Sequence, residues 1–538
     1  MIRKLNRSAG LGTGVLVAAA VVLAAVVWPD DDTTGGSAPA SAGPAGSSSS
    51  ASATSRVYPL SGAPRTIPSV REHGPARGPG WQPGPRSRVL VDRGSKGLTD
   101  EGRLLAHELK LGYAYGGTPR PGDIELALQP DPKGAPESYT LSARDHRVRI
   151  TGPDEAGVFY GTRTVKQSVR ADGKVPEGVV HDRPDRPQRG LNLDIARKSF
   201  TAGWIEDRLR EAADLKLNEL GLHFSDDQGF RIASESHPEV VSAQHLTKPE
   251  VRRIVALATS LHIAVIPEID SPGHLGAVIK AHPDLQLKDA SGAPTRGAVD
   301  VSNPAAARIV DDLLHEYAGL FSPPGGHAAY WHLGGDEYRA LTVRDPETSY
   351  PRLADQAHRK YGPRARVQDL ATGWLNDRAA VVRPYAKQLK AWNDGFFRDG
   401  AVKADPSIEV EYWTGKEYSA RQPEEYLSAG RRVVNLNDEY LYYVLGEPND
   451  FTYPTGRRIY EQWTPRVLRG TRPVPAKYAH LIQGARFAVW CDHADAQTPA
   501  QIAAGIRMPL RAMAQKLWNP EKPSLTWQQF GALASKLS

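Results

Sequence analysis

The chain is poor in cysteine: Cys491 is the single one among 538 residues. One thiol excludes an internal disulfide and any cysteine-built zinc site. Blocks of lysine and arginine are also missing. The 67 basic residues are scattered among 61 acids, for a net charge of +6. Neither an RNA-binding signature nor zinc-ligand spacing accompanies them, so nucleic acid is not an expected partner. No Gly-rich phosphate loop follows the first strand of the C-terminal region, which argues against a doubly wound nucleotide-binding sheet. The sequence implies no metal and no organic cofactor.

What is present starts with a targeting pattern. Arg3, Lys4 and Arg7 precede an almost wholly apolar run from Leu11 to Trp28, the pattern of an export signal or of an uncleaved anchor. Ala40-Ser-Ala42 offers a cleavage site, and no cysteine follows the run, which excludes a lipoprotein anchor. Residues 33–56 are rich in Ser, Ala, Gly and Thr and cannot bury a core. The expectation is a signal or anchor over 1–32, a disordered linker over 33–56, and a protein that is secreted or tethered outside the membrane. Membrane contact is then made only through the N-terminal segment.

Two folded regions follow. Residues 57–183 read as a small α+β domain, with helical patterns at Thr99–Leu111 and Glu155–Val169. Strand-like runs stand at Ile124–Leu128, Glu137–Ser142 and Val148–Thr151. The stretch Pro184 to Pro187 marks the boundary. Beyond it, over 184–538, short apolar runs recur at Gly190–Ile195, Glu219–Phe224, Ala264–Ile269, Tyr330–Leu333, Gln388–Trp392, Ile408–Trp413, Arg432–Leu436 and Ala485–Trp490. Amphipathic helical patterns separate most of them. In one, Ile205, Leu209, Ala212, Ala213 and Lys216 fall on a stripe; another opens with the capping box Thr247/Glu250. Eight strand–helix repeats predict an α/β fold, a (β/α)8 TIM barrel preceded by the small α+β domain.

Active sites of that fold lie at the C-terminal ends of the strands, and polar and aromatic residues gather there. Strand two ends in Asp226-Asp227, strand three in Asp270 with His274 beyond, and strand four in Asp336-Glu337. Trp392, Trp413, Asn437 with Tyr440, and Trp490 with Asp492 finish strands five to eight. In Trp331-His-Leu-Gly-Gly-Asp-Glu337, two acids follow an apolar strand and two glycines. Neighbouring residues on a regular strand face opposite ways, so both acids serve one site only where the strand ends or bulges. Such a pair suits a glycosidase acid/base site; a metal-binding or solvated acid pair is the alternative. Three tryptophans at strand ends suit the flat C–H faces of sugars, with core packing as the bland alternative for each.

The chain resembles glycoside hydrolase family 20, the β-N-acetylhexosaminidases, and within it the dispersin B type most closely. The matching motifs are Arg189-Gly-Leu-Asn-Leu-Asp194, His223-Phe-Ser-Asp-Asp-Gln-Gly229, Ser271-Pro-Gly-His274 and His332-Leu-Gly-Gly-Asp-Glu337. Trp392-Asn-Asp394, Tyr412-Trp413, Asn437 to Tyr442 and Trp490-Cys-Asp492 continue them in order. Gly157-Val-Phe-Tyr-Gly161 to Gln167 matches the family's small domain. The resemblance implies retention assisted by the substrate's own 2-acetamido group, an exception to the two-carboxylate scheme.

In that scheme Glu337 is the general acid and then the base, and Asp336 orients the acetamido N–H. Tyr440 donates to the acetamido oxygen, and Asp226 with His274 supports Glu337. Glu337 is expected to hold a raised pKa through burial beside ionised Asp336. Arg189 resembles the arginine that binds the sugar's hydroxyls, with a barrel-bottom ion pair as its alternative. Trp392, Trp413, Trp490 and Asp492 complete the binding set.

The partner so implied is an N-acetylhexosamine-containing oligosaccharide or glycan. One departure concerns its size. Many members carry Trp-x-Glu where this chain has Trp490-Cys-Asp492, and aspartate there resembles the disaccharide-releasing lacto-N-biosidases. The leading reading is an exported enzyme removing terminal β-linked GlcNAc or GalNAc. The alternatives are a disaccharide-releasing or β-1,6-poly-GlcNAc-cleaving relative, and a non-catalytic glycan-binding barrel. The segment from Gly446 to Lys477, with Tyr453, Tyr460 and Trp463, is expected to shape the substrate entrance.

Overall fold

Strands with one half-buried face and strands buried on both faces divide the chain into two layers of construction. In the computed structural model, residues 57–538 are described apart from 132, 323–327, 417–419 and 447–450. The signal or anchor and the linker expected over 1–56 lie outside the described residues. Among the described residues no helix is long and apolar enough to cross a membrane.

Seven strands come first: β1 Glu72–Pro75, β2 Arg88–Val91, β3 Gly112–Tyr115, β4 Ile124–Leu128, β5 Tyr139–Arg144, β6 Arg147–Gly152 and β7 Gly178–Asp182. They form one mixed sheet in the order β1-β7-β5-β6-β4-β2-β3. Buried and accessible positions alternate along β5 and β6, as a sheet with one face on a core requires. The helices Thr99–Leu109 and Glu155–Asp172 belong to this domain. The second is capped by Asp154 and ends at Gly173 in the left-handed region.

The barrel strands are buried on both faces over most of their length: β8 Gln188–Asp194 and β9 Glu219–His223 have no accessible position, the pattern of parallel strands covered by helices. β10 Ala264–Glu268 follows, then an antiparallel hairpin of β11 Gln286–Lys288 and β12 Pro294–Val299. The chain continues through β13 Ala328–His332, β14 Ala386–Trp392, β15 Glu409–Tyr412, β16 Val433–Asn435, β17 Tyr442–Val444 and β18 Ile482–Trp490. The order β16-β15-β14-β13-β10-β9-β8-β18 is closed by pairing of β16 with β18. All eight predicted strand positions are occupied, and the capping box at Thr247 and Glu250 is formed.

The hairpin β11–β12 and the extra strand β17 were not foreseen. β17 pairs Tyr442 with Ala488 and Val444 with Trp490, whereas β16 pairs lower on β18, from Ile482 to Ala485. The seventh strand is thus split, and its upper half brings a second tyrosine-rich segment to the rim.

The small domain packs on the N-terminal edge of the barrel through buried charge. Arg163 and Lys166 bind Glu108 and Asp214, with Lys166 at 2.6 Å from each. Lys216, foreseen as part of a helical stripe, lies past the helix Ala202–Asp214 with its ammonium 3.1 Å from Asp182 and 4.3 Å from the Trp518 ring centroid. Trp518 closes the same cluster by donating to Asp182 at 2.9 Å. The segment foreseen as an entrance is partly core. Trp463 is fully buried, and Tyr460 packs on Phe530 and donates to Leu525. Tyr453 stacks on Tyr443, and Phe451 does lie beside Tyr442 at the rim.

Candidate active site

β13 ends at His332, before the acids, and the chain turns through Gly334 and Gly335 at φ 70° and 100°. A Cβ on Gly334 would stand 1.8 Å from Asp270 Oδ1, so only glycine fits there. Gly335 donates its N–H to that same oxygen at 2.8 Å. Glu337 itself has φ 45°, a conformation costing about 1–3 kcal/mol for a residue with a side chain. Its N–H is held by Asp394 Oδ2 at 2.9 Å. The turn aims both acids at one imidazole: His274 Nε2 lies 3.7 Å from Asp336 and 3.5 Å from Glu337.

The other nitrogen of His274 faces Asp226 at 3.3 Å. Asp226 is also bound by His223 at 2.9 Å and by Arg197 at 2.7 Å. Burial alone would raise the Asp226 carboxyl, but His274, His223 and Arg197 together hold it well below the ordinary range. Burial opposes charge on His274 as well, and Asp226, Asp336 and Asp270 overcome it, raising that imidazole well above its usual value. An acid–histidine–acid line therefore runs from Asp226 through His274 to Glu337.

The protonation of the acid pair differs from expectation. Glu337 is lowered, first by the His274 imidazole facing it at 3.5 Å, and its side chain is 41 % exposed. Asp336 is raised, chiefly by burial. The physical reason is position. Glu337 is half-buried beside a cation, whereas Asp336 sits among Asp270 and Asp394, both pushed up by burial and then by the charge of Asp336. Donor atoms of Asp270, His274 and Asp336 lie within 4.8 Å of one another, a spacing that could hold a cation, although His274 Nδ1 already faces Asp226.

Around the acids stands an aromatic wall. Trp392, Trp413 and Trp490 cluster with Tyr442, Val434, Leu436, Val444 and Ala488. Trp413 lies parallel to Tyr442 with centroids 5.7 Å apart, and Trp490 is 5.9 Å from both Tyr442 and Trp392. Their polar edges are tied: Trp392 donates to Glu268 at 2.6 Å and Trp413 to Asp394 at 3.0 Å. Glu268 also faces His223 and His332, at 3.2 and 3.3 Å. Below it the barrel interior carries Lys390, Glu409, Glu411 and Arg486, paired to one another. This charged filling was not foreseen, because residues inside a barrel read as ordinary strand positions.

Two site assignments from the sequence stand in surroundings other than those expected. Arg189 sits at the start of β8, at the opposite end of the barrel. Its guanidinium binds Glu137 at 2.8 Å and Lys216 O at 2.9 Å, over the rings of Tyr160 and Trp518. It is the barrel-bottom ion pair. Arg197, just past the other end of the same strand, is the arginine beside the aromatic wall: it pairs with Asp194 at 3.0 Å, with Asp226, and lies 5.5 Å from the Trp490 ring centroid. Its signal was an Asp194-x-x-Arg197 spacing beyond a strand end.

Tyr440 is the second. It lies in the turn before β17, buried in the main core with Arg458 over its ring at 4.3 Å. Tyr442, two residues on, stands in the aromatic wall. Burial, and then the charge of Asp336, push its phenol well above the usual range, so it remains a donor. Tyr442→Phe should lower turnover roughly tenfold or more through loss of one hydrogen bond near a developing charge, whereas Tyr440→Phe should leave kcat unchanged. Parallel kinetics on the two variants distinguish the phenols; the reverse ranking would restore Tyr440.

Asp492 follows Trp490 and Cys491 beyond the last barrel strand and is exposed; its carboxyl is raised, by desolvation first and against the opposing charge of Arg197. On the other side of Glu337 a cavity of about 380 Å³ is lined by Glu337, Asp394, Phe396, Phe397, Arg398 and Arg421 among others.

A glycosyl hydrolase family 20 catalytic-domain model matches residues 187–521, and the family's domain 2 model matches 63–183. A lacto-N-biosidase of Bifidobacterium bifidum is 30% identical over 483 residues, covering 88% of this chain and 41% of that protein. A β-N-acetylhexosaminidase of Cellulomonas fimi is 30% identical over 336 residues, 58% of this chain and 60% of its own length. The chain thus spans 41% and 60% of the lengths of these two relatives. Among solved structures, a mutant Streptomyces plicatus β-hexosaminidase in complex with GlcNAc superposes with a TM-score of 0.70 at 22% identity, covering 89% of this chain and 95% of that one. With the catalytic-domain match lying over the barrel and the domain 2 match over the small sheet, the chain belongs to glycosyl hydrolase family 20.

Proposed function

We propose that this protein is an exported, retaining β-N-acetylhexosaminidase in which the substrate's acetamido group is the nucleophile. The observation that carries the reading is the line Asp226–His274–Glu337 beside Asp336 and Tyr442 in an aromatic pocket. The acetamido oxygen attacks C1, the bond from C1 to the aglycone oxygen breaks, and Glu337 gives that oxygen its proton. Asp336 accepts the acetamido N–H and balances the charge of the oxazolinium, while Tyr442 donates to the acetamido oxygen. Water then adds to C1 from the side the aglycone left, Glu337 takes its proton, and the ring reopens with β configuration.

Holding nucleophile and reacting centre in one molecule supplies the proximity advantage. The low pKa of Glu337 belongs to the open pocket. An aglycone seated over it removes water, which disfavours the carboxylate and moves the acid toward its protonated form. Export rests on the basic-then-apolar start at Arg3 to Trp28. The glycan-binding alternative has no use for a second acid at the histidine.

Release of a disaccharide is a second reading, favoured by Asp492. Aspartate is shorter than the usual glutamate by one methylene, which leaves room beyond the sugar, and the B. bifidum relative is a lacto-N-biosidase. Assays on nitrophenyl β-GlcNAc and nitrophenyl lacto-N-bioside separate the two. Turnover of the first supports the monosaccharide enzyme; turnover confined to the second supports the disaccharide enzyme; turnover of neither, with binding, leaves the glycan-binding barrel.

A further inference from the structure

On the rim, away from the aromatic pocket, three side chains from two loops converge. His237 Nδ1 and His282 Nε2 both point at Glu239 Oε1, at 2.9 and 2.8 Å. One donor atom from each of the three residues lies within 4.8 Å of the others. The remaining nitrogen of His237 faces Asp312 Oδ2 at 3.4 Å, on the helix Pro304–Phe321. Metal-bound histidines characteristically give their second ring N–H to a carboxylate, which fixes tautomer and orientation. The loop holding His237 is itself anchored: its N–H donates to Ser234 Oγ at 3.0 Å, and Ser234 donates to Glu316 at 2.6 Å.

We propose that His237, Glu239 and His282 form a binding site for one divalent transition-metal ion of the zinc class, with Asp312 orienting His237. Two imidazoles and one carboxylate are a borderline-soft set suited to Zn²⁺ and poorly suited to Mg²⁺ or Ca²⁺, which prefer all-oxygen shells. Three ligands leave a fourth position for water. His282 and Glu239 are part exposed, at 30 and 41 % for the side chains, so an ion can enter without opening the fold. The two loops so joined are those that follow β9 and β10 and carry Asp226 and His274. The ion therefore ties together the supports of Glu337 from outside the pocket.

The test uses the whole protein without a histidine tag, stripped with a chelator and dialysed. Zn²⁺ is titrated by calorimetry and Co²⁺ by visible absorption. The proposal expects one equivalent of Zn²⁺, a Co²⁺ spectrum of low coordination number displaced by Zn²⁺, and a raised Tm. His282→Ala and His237→Ala should each weaken Zn²⁺ binding at least tenfold, and Asp312→Asn by a smaller factor. Unchanged far-ultraviolet dichroism confirms that the variants fold. Absence of saturable one-equivalent binding by the unmodified chain would overturn the site, as would binding by folded His282→Ala that equals the parent's.

Discussion

Glu337→Gln should cut kcat on a substrate with a sugar aglycone by roughly 10²–10⁴-fold, the usual worth of a positioned acid–base group. Binding of a substrate-like inhibitor should change little. Glutamine keeps the size of the side chain and its place against His274, but has no proton of the right acidity to give and cannot take one from water. The loss should shrink on nitrophenyl glycosides, whose leaving group departs without full protonation, although the second step still lacks its base. Steady-state kinetics on both substrate types, with an inhibitor constant measured alongside, check this. Undiminished turnover of the sugar-aglycone substrate would remove Glu337 from the mechanism.

Asp336→Asn is the second large effect. Asparagine preserves shape and still offers an oxygen, but it withdraws the negative charge that faces the oxazolinium. Loss of one aimed group at a developing charge costs about 10²–10³-fold in kcat, or about 2.7–4 kcal/mol. Because Asp336 acts on the acetamido group, the loss should fall on 2-acetamido substrates and spare the small residual rate on 2-hydroxy analogues. Comparing the parent and variant on both series measures that difference. An equal loss on both would show that Asp336 serves the fold of the turn and not the acetamido group. The raised pKa of Asp336 in the open site, caused chiefly by burial, adds a sign. A cationic intermediate favours the ionised form, so tight binding of a cationic mimic should release a proton, visible as buffer-dependent heat.

Much of this was readable in the chain, for identifiable reasons. The eight barrel strands announced themselves because strands buried on both faces are short continuous apolar runs between helical periods. Gly334 and Gly335 predicted the strand end at the acids, and the structure places a backbone there that only glycine tolerates at 334. What was not legible depended on which end, or which neighbour, a residue serves. Arg189 and Arg197 flank one strand, and sequence pattern does not say which terminus faces the ligand until the barrel is closed. In Tyr440-Leu-Tyr-Tyr443 three phenols compete, and the turn at 438–440 decides that Tyr442 enters the wall.

Glu337's lowered pKa could not be read either. It follows from His274 standing 3.5 Å away, a distance set by the third loop and not by the motif itself. Trp463 and Tyr460 looked like entrance residues because they lie in a long connection. They are core because that connection contains the short helix Gly456–Gln462 packed beneath the C-terminal helices. In each case the missing information was three-dimensional register, which composition and spacing do not carry.

The most direct measurement follows p-nitrophenol release from the β-GlcNAc and lacto-N-bioside glycosides with and without a thiazoline analogue of the cyclised intermediate. Acetamido participation predicts turnover of at least one glycoside and competitive inhibition by the thiazoline far tighter than by free GlcNAc. Turnover indifferent to the thiazoline would contradict it.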